Sequence, residues 1–387
     1  MSLIDYCDNL RQREVVDLYE QGYSSRQIAD KLNSNDSSHI RRSIRRAKAR
    51  ATQHGDRPEH NMTHPLPEPH KLKRHSVNYV DGAIKQEWVI SEPDKERQLE
   101  LMREALEALA DDAPRQTPIE KPTENHQDLI AVIPLADLHV AMYAWARECG
   151  DDFNLAIAER DAQGAVDYLL GCSPKARRGV LMNLGDFFHS TNQEGTTKKS
   201  GNVLDIDGRF PKMIDVGVRI VRHIITKMLK IYEIVDVVTT PANHDEELAK
   251  VLAILLRNVY ENEPRITIHD NAAQRCYIED GTVLLGAVHG HQTKDADLLP
   301  IMATEMPEAW GRTKCRVFFR GHHHHDSEVE YRGGKVFQVR KLSPGDAYEV
   351  GHGYLSGNDL KLIVYNRTRE TEQSRFTCGL DVVRRMV

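Results

Sequence analysis

The chain has 387 residues, enough for one sizeable catalytic domain and a smaller one, and its formal charge of −6 excludes a global nucleic-acid signature. Its six cysteines form no Cys-x-x-Cys pair, which argues against a zinc ribbon or a disulfide framework and suits a reducing cytosol. The first residues hold acids and no apolar signal core, and no later stretch reaches the length of a membrane span. The expectation is a soluble cytoplasmic protein with no membrane partner.

Residues 1–50 read as three helices forming a small all-α domain. Leu10, Val15, Leu18 and Tyr19 make an apolar stripe ended by Gly22. Ser24 and Ser25 cap a second helix with Ile28, Ala29 and Leu32, and Ser37 and Ser38 cap a third. The third sets Ile40, Ile44 and Ala47 on one side and Arg41, Arg42, Arg45, Arg46, Lys48 and Arg50 on the other. Short helix, turn, short helix, turn and basic helix is the helix-turn-helix layout, whose last helix reads a DNA groove. The stretch resembles the DNA-binding domains of resolvase or sigma-factor type, which would give Arg41, Arg42, Arg45 and Arg46 to DNA. The competing reading is a helical bundle with a solvated arginine face.

Residues 51–128 read as a linker. Pro58, Pro65, Pro67 and Pro69 keep its first part extended, and His54, His60, His64, His70 and His75 lack acidic company and read as solvated. A small hairpin is expected between Val77 and Ile90 around Tyr79-Val80-Asp81-Gly82, with Trp88 packed on a neighbour. Asp94 to Ala110 reads as an amphipathic helix with Leu99, Met102, Leu106 and Leu109 on one face. That face would dock on the catalytic domain, or on a second copy to make a homodimer.

Over residues 129–387 the texture is α/β. Strands are expected at Leu129 to Leu135, Gly179 to Leu184 and Ile234 to Thr239, and helices at Phe153 to Leu170, Met213 to Ile231 and Glu246 to Tyr260. Beyond Arg265 strands dominate: Ile266 to Ile268, Ala273 to Tyr277, Val283 to Val288, Arg316 to Phe319, Glu328 to Tyr331 and Lys335 to Val339. Hairpins are signalled at Glu279-Asp280-Gly281 and Arg332-Gly333-Gly334. The mixture implies a layered β-sandwich flanked by helices, with its site at the loops after the strands.

Five Asp/Asn/His clusters follow those strand-like runs: Asp137-Leu138-His139, Gly185-Asp186-Phe187-Phe188-His189, Asn243-His244-Asp245, His289-Gly290-His291 and Gly321-His322-His323-His324. Carboxylate, amide and imidazole groups at strand ends are the donors that hold two divalent metals for hydrolysis. Asp137 and His139 alternate with Leu138, so an extended strand end would point both the same way. Gly185 allows a sharp turn that places Asp186 where it can bridge two ions. Three oxygen donors and four imidazoles suit Mn, with Fe or Zn as alternatives, better than Mg or Ca.

In type and order these blocks resemble the calcineurin-like metallophosphoesterase superfamily, over roughly Leu129 to Gly345. The resemblance implies a four-layer β-sandwich flanked by helices. It gives one metal Asp137, His139, Asp186 and His324, and the other Asp186, Asn243, His289 and His322. It also implies attack on phosphorus by a metal-bridging hydroxide, with His244 at the phosphate or the leaving oxygen. Asp186-x-x-His189 followed by Asn243-His244-Asp245 is similar to SbcD-like DNA repair nucleases, in which the histidine matching His189 assists at the scissile phosphate. The glycine usual before the Asn-His pair is Ala242 here. His291, His323 and His325 are expected as bystanders. The segment from Ser190 to Lys212, with Lys198, Lys199, Arg209 and Lys212, reads either as a guide for a nucleic-acid backbone or as a solvated loop.

A helix-turn-helix joined to such a phosphoesterase resembles phage-encoded proteins, whose setting would be the bacterial host cytoplasm. The expected function is a dinuclear phosphodiesterase, an exo- or endonuclease with DNA as partner. The alternative is a small-molecule or cyclic-nucleotide phosphodiesterase whose N-terminal domain binds protein. A non-catalytic binding module is disfavoured, because all seven expected ligands and both catalytic histidines are present.

Overall fold

The computed structural model describes residues 3–7, 9–32, 34, 37–53, 56–57, 62–63, 70–81, 83–94, 115–191, 204–269 and 273–386. The chain forms two compact units, Met1–Ala105 and Leu106–Val387.

In the first unit, α1 (Leu10–Glu20), α2 (Ser25–Lys31) and α3 (Ser37–Gln53) surround a small core of Val15, Ile28, Ala29, Ile40 and Ile44. Asn9 caps α1 by accepting from the Gln12 amide, and Ser24 and Gln27 form a reciprocal capping box on α2. Leu10 does not join the expected stripe and is 79% exposed. At 3.6 residues per turn it stands about 140° around the helix from Val15. The buried side of α1 is Gln12, Val15 and Val16, and Gln12 donates to the Ser43 carbonyl at 3.0 Å.

Short strands β1 (Asp56–Arg57) and β2 (Met62–Thr63) pair, and β3 (His70–Val80) and β4 (Ala83–Pro93) form a hairpin longer than expected. His70 and His75 are not solvated linker residues. They pair across the hairpin with Ser91 (3.2 Å) and Glu87 (2.7 Å). Trp88 is 45% exposed instead of packed. His54, His60, His64 and the helix expected from Asp94 to Ala110 lie outside the described residues.

The second unit is a sandwich of two sheets. In the first, β5 (His126–Leu135), β6 (Ala176–Asn183), β7 (Ile234–Thr239) and β8 (Ile266–His269) run parallel. The second contains β9 (Cys276–Asp280), β10 (Val283–Val288), β11 (Cys315–Arg320), β12 (Ser327–Tyr331) and β13 (Gly334–Gln338), in the order β12-β13-β11-β10-β9. Strands β14 (Asp359–Asn366) and β15 (Glu372–Gly379) complete the first as β15-β14-β5-β6-β7-β8. Between the sheets Val132, Val180, Met182 and Val238 share one core with Leu285, Val317, Phe319 and Phe337.

A helix layer built from α5 (Leu155–Cys172), α6 (Phe210–Ile231) and α7 (Glu246–Val259) packs on the first sheet. Helices α8 (Asp295–Glu305) and α9 (Pro307–Arg312) cover the second, with Leu298, Leu299 and Met302 against Leu284 and Phe318. A short α4 (Ala146–Cys149), α10 (Ala347–Gly351) and α11 (Leu380–Arg385) complete the unit. In this unit the sequence reading missed α4, α8 to α11, β14 and β15. Strand β9 also begins three residues later than expected, because its hairpin register pairs Asp280 with Val283. Among the described residues no helix is long and apolar enough to cross a membrane.

Candidate metal centre

The five clusters sit at the C-terminal ends of β5, β6, β7, β10 and β11. Backbone pairing continues past the first two strands. The amides of Asp137, His139 and Val140 donate to the carbonyls of Gly185, Asp186 and Phe187 at 3.1, 3.0 and 2.8 Å. The two loops therefore hold each other in register as they leave the sheet.

Extended alternation does not bring Asp137 and His139 together, contrary to expectation. Both lie in the left-handed region, with φ of 51° and 49°, and so do Asp186 (48°), His322 (76°) and His324 (57°). Such backbone costs on the order of 1–3 kcal/mol per non-glycine residue. It recurs at five of the seven expected ligands and is held by the surrounding hydrogen bonds. Leu138 between the first two is buried. Two glycines leave room for the crowding. A Cβ on Gly185 would lie 2.5 Å from that of Ala242, and one on Gly321 would lie 2.5 Å from Asp137 Oδ2.

All seven expected ligands converge. Donor atoms of Asp137, His139 and His324 lie within 4.8 Å of one another, as do those of Asp186, His289 and His322. Asn243 Oδ1 joins the second set, 3.0 Å from His289 Nε2. Asp186 groups with the second set, with its Oδ2 3.2 Å from His289 Nε2. His139, His189 and His244 form a third cluster, in which His189 and His244 stack with centroids 5.8 Å apart and planes 14° apart. His291 lies close by, its ring 5.3 Å from that of His289. His323 and His325 stack on each other.

The donor set fits divalent ions. Asp137 Oδ1 is buried without a hydrogen-bond donor, its nearest ion-pair partner being His324 Nε2 at 3.5 Å. A buried carboxylate oxygen so placed calls for a cation. Burial alone would raise the Asp186 carboxyl, but His289 and His244 hold it below the usual carboxylate range. Burial would lower His289, yet Asp186 pushes it up to about 9. For His324 burial is outweighed by the neighbouring carboxylates of Asp137 and Glu349, which push it up to about 9. Burial, reinforced by neighbouring imidazoles, holds His322 down to about 4, His189 to about 3 and His139 below its ordinary value. Those three are thus in the neutral form that ligates metals, and a cation arriving at His289 and His324 would displace their protons.

Two supporting residues, Glu349 and Lys341, escape the sequence reading, and so does the supporting role of Asp245 in the third cluster. Glu349, on α10, accepts from His324 Nδ1 with one oxygen and from Lys341 Nζ with the other. Lys341 is buried, with a side chain 3% exposed. Asp245 is fully buried and accepts from the amides of Asp186, Phe187 and Phe188 at 3.2, 2.8 and 3.1 Å, shaping the loop that carries Asp186. Burial, reinforced by the nearby Asp186 charge, pushes its carboxyl up to about 7. A carboxylate beside a ligand histidine is a recognisable pairing, but Glu349 lies 25 residues beyond His324.

Arg41, Arg42, Arg45 and Arg46 lie in the other compact unit, exposed on the side of α3 opposite buried Ile40, Ile44 and Ala47. Arg209 and Lys212 are exposed at the start of α6, while Lys198 and Lys199 lie outside the described residues.

No protein-family model matches the sequence, and no curated protein does either. Solved structures that resemble it include an archaeal phosphodiesterase, 12% identical, over 65% of this chain and 99% of that one, at a TM-score of 0.33. A predicted phosphoesterase from Streptococcus pneumoniae is 10% identical over 65% and 100%, at 0.27. The Zn-complexed Vps29 of Entamoeba histolytica is 12% identical over 65% and 99%, also at 0.27. With likenesses this distant, the functional reading rests on the residues of the site.

Proposed function

We propose that the chain is a dinuclear-metal-dependent phosphodiesterase of the calcineurin-like type, and that its substrate is DNA. The observation that carries this is the convergence of seven metal-type donors with two further histidines that belong to neither ligand set. Asp137, His139 and His324 would hold one ion and Asn243, His289 and His322 the other, with Asp186, which groups with the second set, as the carboxylate that would be shared; Mn suits the mixed donors, as do Fe and Zn. When bound, such ions polarise a phosphoryl group and activate water.

The chain's own groups do the rest. Asp186 Oδ1 accepts from the His244 amide at 2.8 Å, which ties that histidine to the cluster. His244 Nδ1 lies 3.1 Å from the His189 carbonyl, which can only accept, so Nδ1 carries the proton. Nε2 is thereby left to face the phosphate and, when protonated, to give its proton to the leaving oxygen. His189 is buried, neutral, and has an unpartnered Nε2, which suits it to a phosphate oxygen or a substrate water.

DNA is favoured over a small ester by His189 and by α3. Arg41, Arg42, Arg45 and Arg46 are exposed together on one side of α3, where phosphates or base edges would meet them as in a helix-turn-helix. The setting proposed is the cytoplasm, that of a bacterial host if the protein is phage-encoded.

The test is incubation of the Mn-loaded full chain with linear, circular and single-stranded DNA beside a small chromogenic diester. Chelator-sensitive cleavage of DNA supports the reading. Hydrolysis of the small ester alone would favour the small-molecule enzyme, and full activity in strong chelator would refute a metal enzyme altogether.

A further inference from the structure

Among the described residues of the second unit, every exposed Tyr or Trp lies on one of two segments: Tyr143 and Trp145 after β5, and Tyr348 and Tyr354 around α10. Both segments are anchored to the metal centre. Tyr143 follows His139 by four residues, and its segment is fixed by bridges from Met142 to Ile206 and from Ala144 to Phe153. Tyr348 precedes Glu349, which holds His324, and Ser356 donates to the His324 carbonyl at 2.6 Å. The two segments meet, since α4 packs beside α10.

The rings are arranged as a surface. Tyr348 and His352 lie with centroids 4.1 Å apart, and His352 stacks on Tyr354 at 5.9 Å with planes 14° apart. Arg147 sits over Trp145 at 5.2 Å. Tyr354 is 64% exposed and Tyr348 61%, so open ring faces remain.

We propose that Tyr143, Trp145, Tyr348 and Tyr354 form a stacking platform for unpaired bases of the strand being cut, an inference that rests on the DNA-cleaving reading above. Every base has a π-face, so aromatic rings hold single strands without regard to sequence, and guanidinium and imidazole groups among the rings add to this. A protein partner would not require the patch to border a phosphoester centre, whereas a strand reaching that centre must pass beside it. Bases in a duplex have no free face, so the platform selects single-stranded or frayed ends.

The experiment measures binding of a short labelled single strand to the full chain by anisotropy, beside the same strand made abasic, and then cleavage of both with Mn. Wild type should prefer the intact strand by roughly tenfold, the scale of one stacked base. Tyr348→Ala and Tyr354→Ala should lose that preference, and Tyr348→Phe and Tyr354→Phe should keep it. Cleavage of both strands without preference, or alanine variants that retain it, would overturn the platform and leave the nuclease reading standing. If the alanine variants change only the protein's self-association, the patch is a contact between copies and the proposal is wrong. Failure of wild type to cleave any strand overturns the nuclease reading and the platform with it.

Discussion

Replacing Glu349 by glutamine removes the one negative charge shared by a metal-site imidazole and a buried ammonium. Among the described residues Glu349 is the sole hydrogen-bond partner of the Lys341 side chain, and the two side chains are 10% and 3% exposed. Breaking a buried pair by removing one partner costs about 3–5 kcal/mol, because the other charge stays buried without compensation. The same carboxylate orients His324 through Nδ1, and loss of such a support weakens metal binding by about 10–100-fold. The two effects separate in a second variant. Glu349→Gln with Lys341→Met has no stranded charge and should recover much of the stability, while metal affinity stays low. Urea unfolding and calorimetric metal titration on wild type and both variants supply the numbers. Unchanged metal affinity in Glu349→Gln, or a double variant that restores both quantities, would refute the reasoning.

Three further outcomes follow from the geometry. His244→Ala should retain metal and lose most turnover, whereas His322→Ala should lose metal from one site; metal analysis beside diester hydrolysis would show a reversal of these roles. His269, on β8, pairs with Asp236 at 2.7 Å, and although burial opposes it, that hydrogen bond and the contact with Cys276 push its pKa up to about 9. The pair's contribution is therefore complete below the unfolded value of about 6.5 and lost as pH rises through the folded one. Unfolding midpoints of wild type and His269→Asn should converge across that window, and a constant gap would contradict the assignment. Removal of residues 1–60 should weaken DNA binding and flatten its salt dependence, read by anisotropy at several salt concentrations. It should spare small-diester hydrolysis, because the first of the proposed ligands in the chain is Asp137; equal DNA affinity would turn the account toward a small-molecule enzyme.

The converging donor clusters were legible in the sequence because metal chemistry restricts donor types, and donors at the ends of apolar runs converge when those runs are neighbouring strands. How they converge was not legible. An Asp-x-His pair reads as strand alternation, and only the backbone shows Asp137 and His139 in left-handed turns. Glu349 escaped because its role depends on α10 folding back onto His324, a contact between residues far apart in the chain. Helix α8 escaped because Pro300 sits inside it and reads as a breaker, although Leu298, Leu299 and Met302 fall at helical spacing. Only the inner part of the long hairpin, between Val77 and Ile90, is legible, because the charged and polar residues of its outer part hide the alternation expected of a buried strand. On α1 the stripe was placed through Leu10, while the packing runs through Gln12, Val15 and Val16.

The most direct test of the central claim is the metal content of the purified, Mn-reconstituted chain, wild type beside Asp186→Asn, by elemental mass spectrometry. If the converging donors form two adjoining sites joined through Asp186, wild type should hold close to two ions per chain and the variant should lose affinity at both. One ion or none in wild type, or a variant that binds as wild type does, would contradict a dinuclear centre.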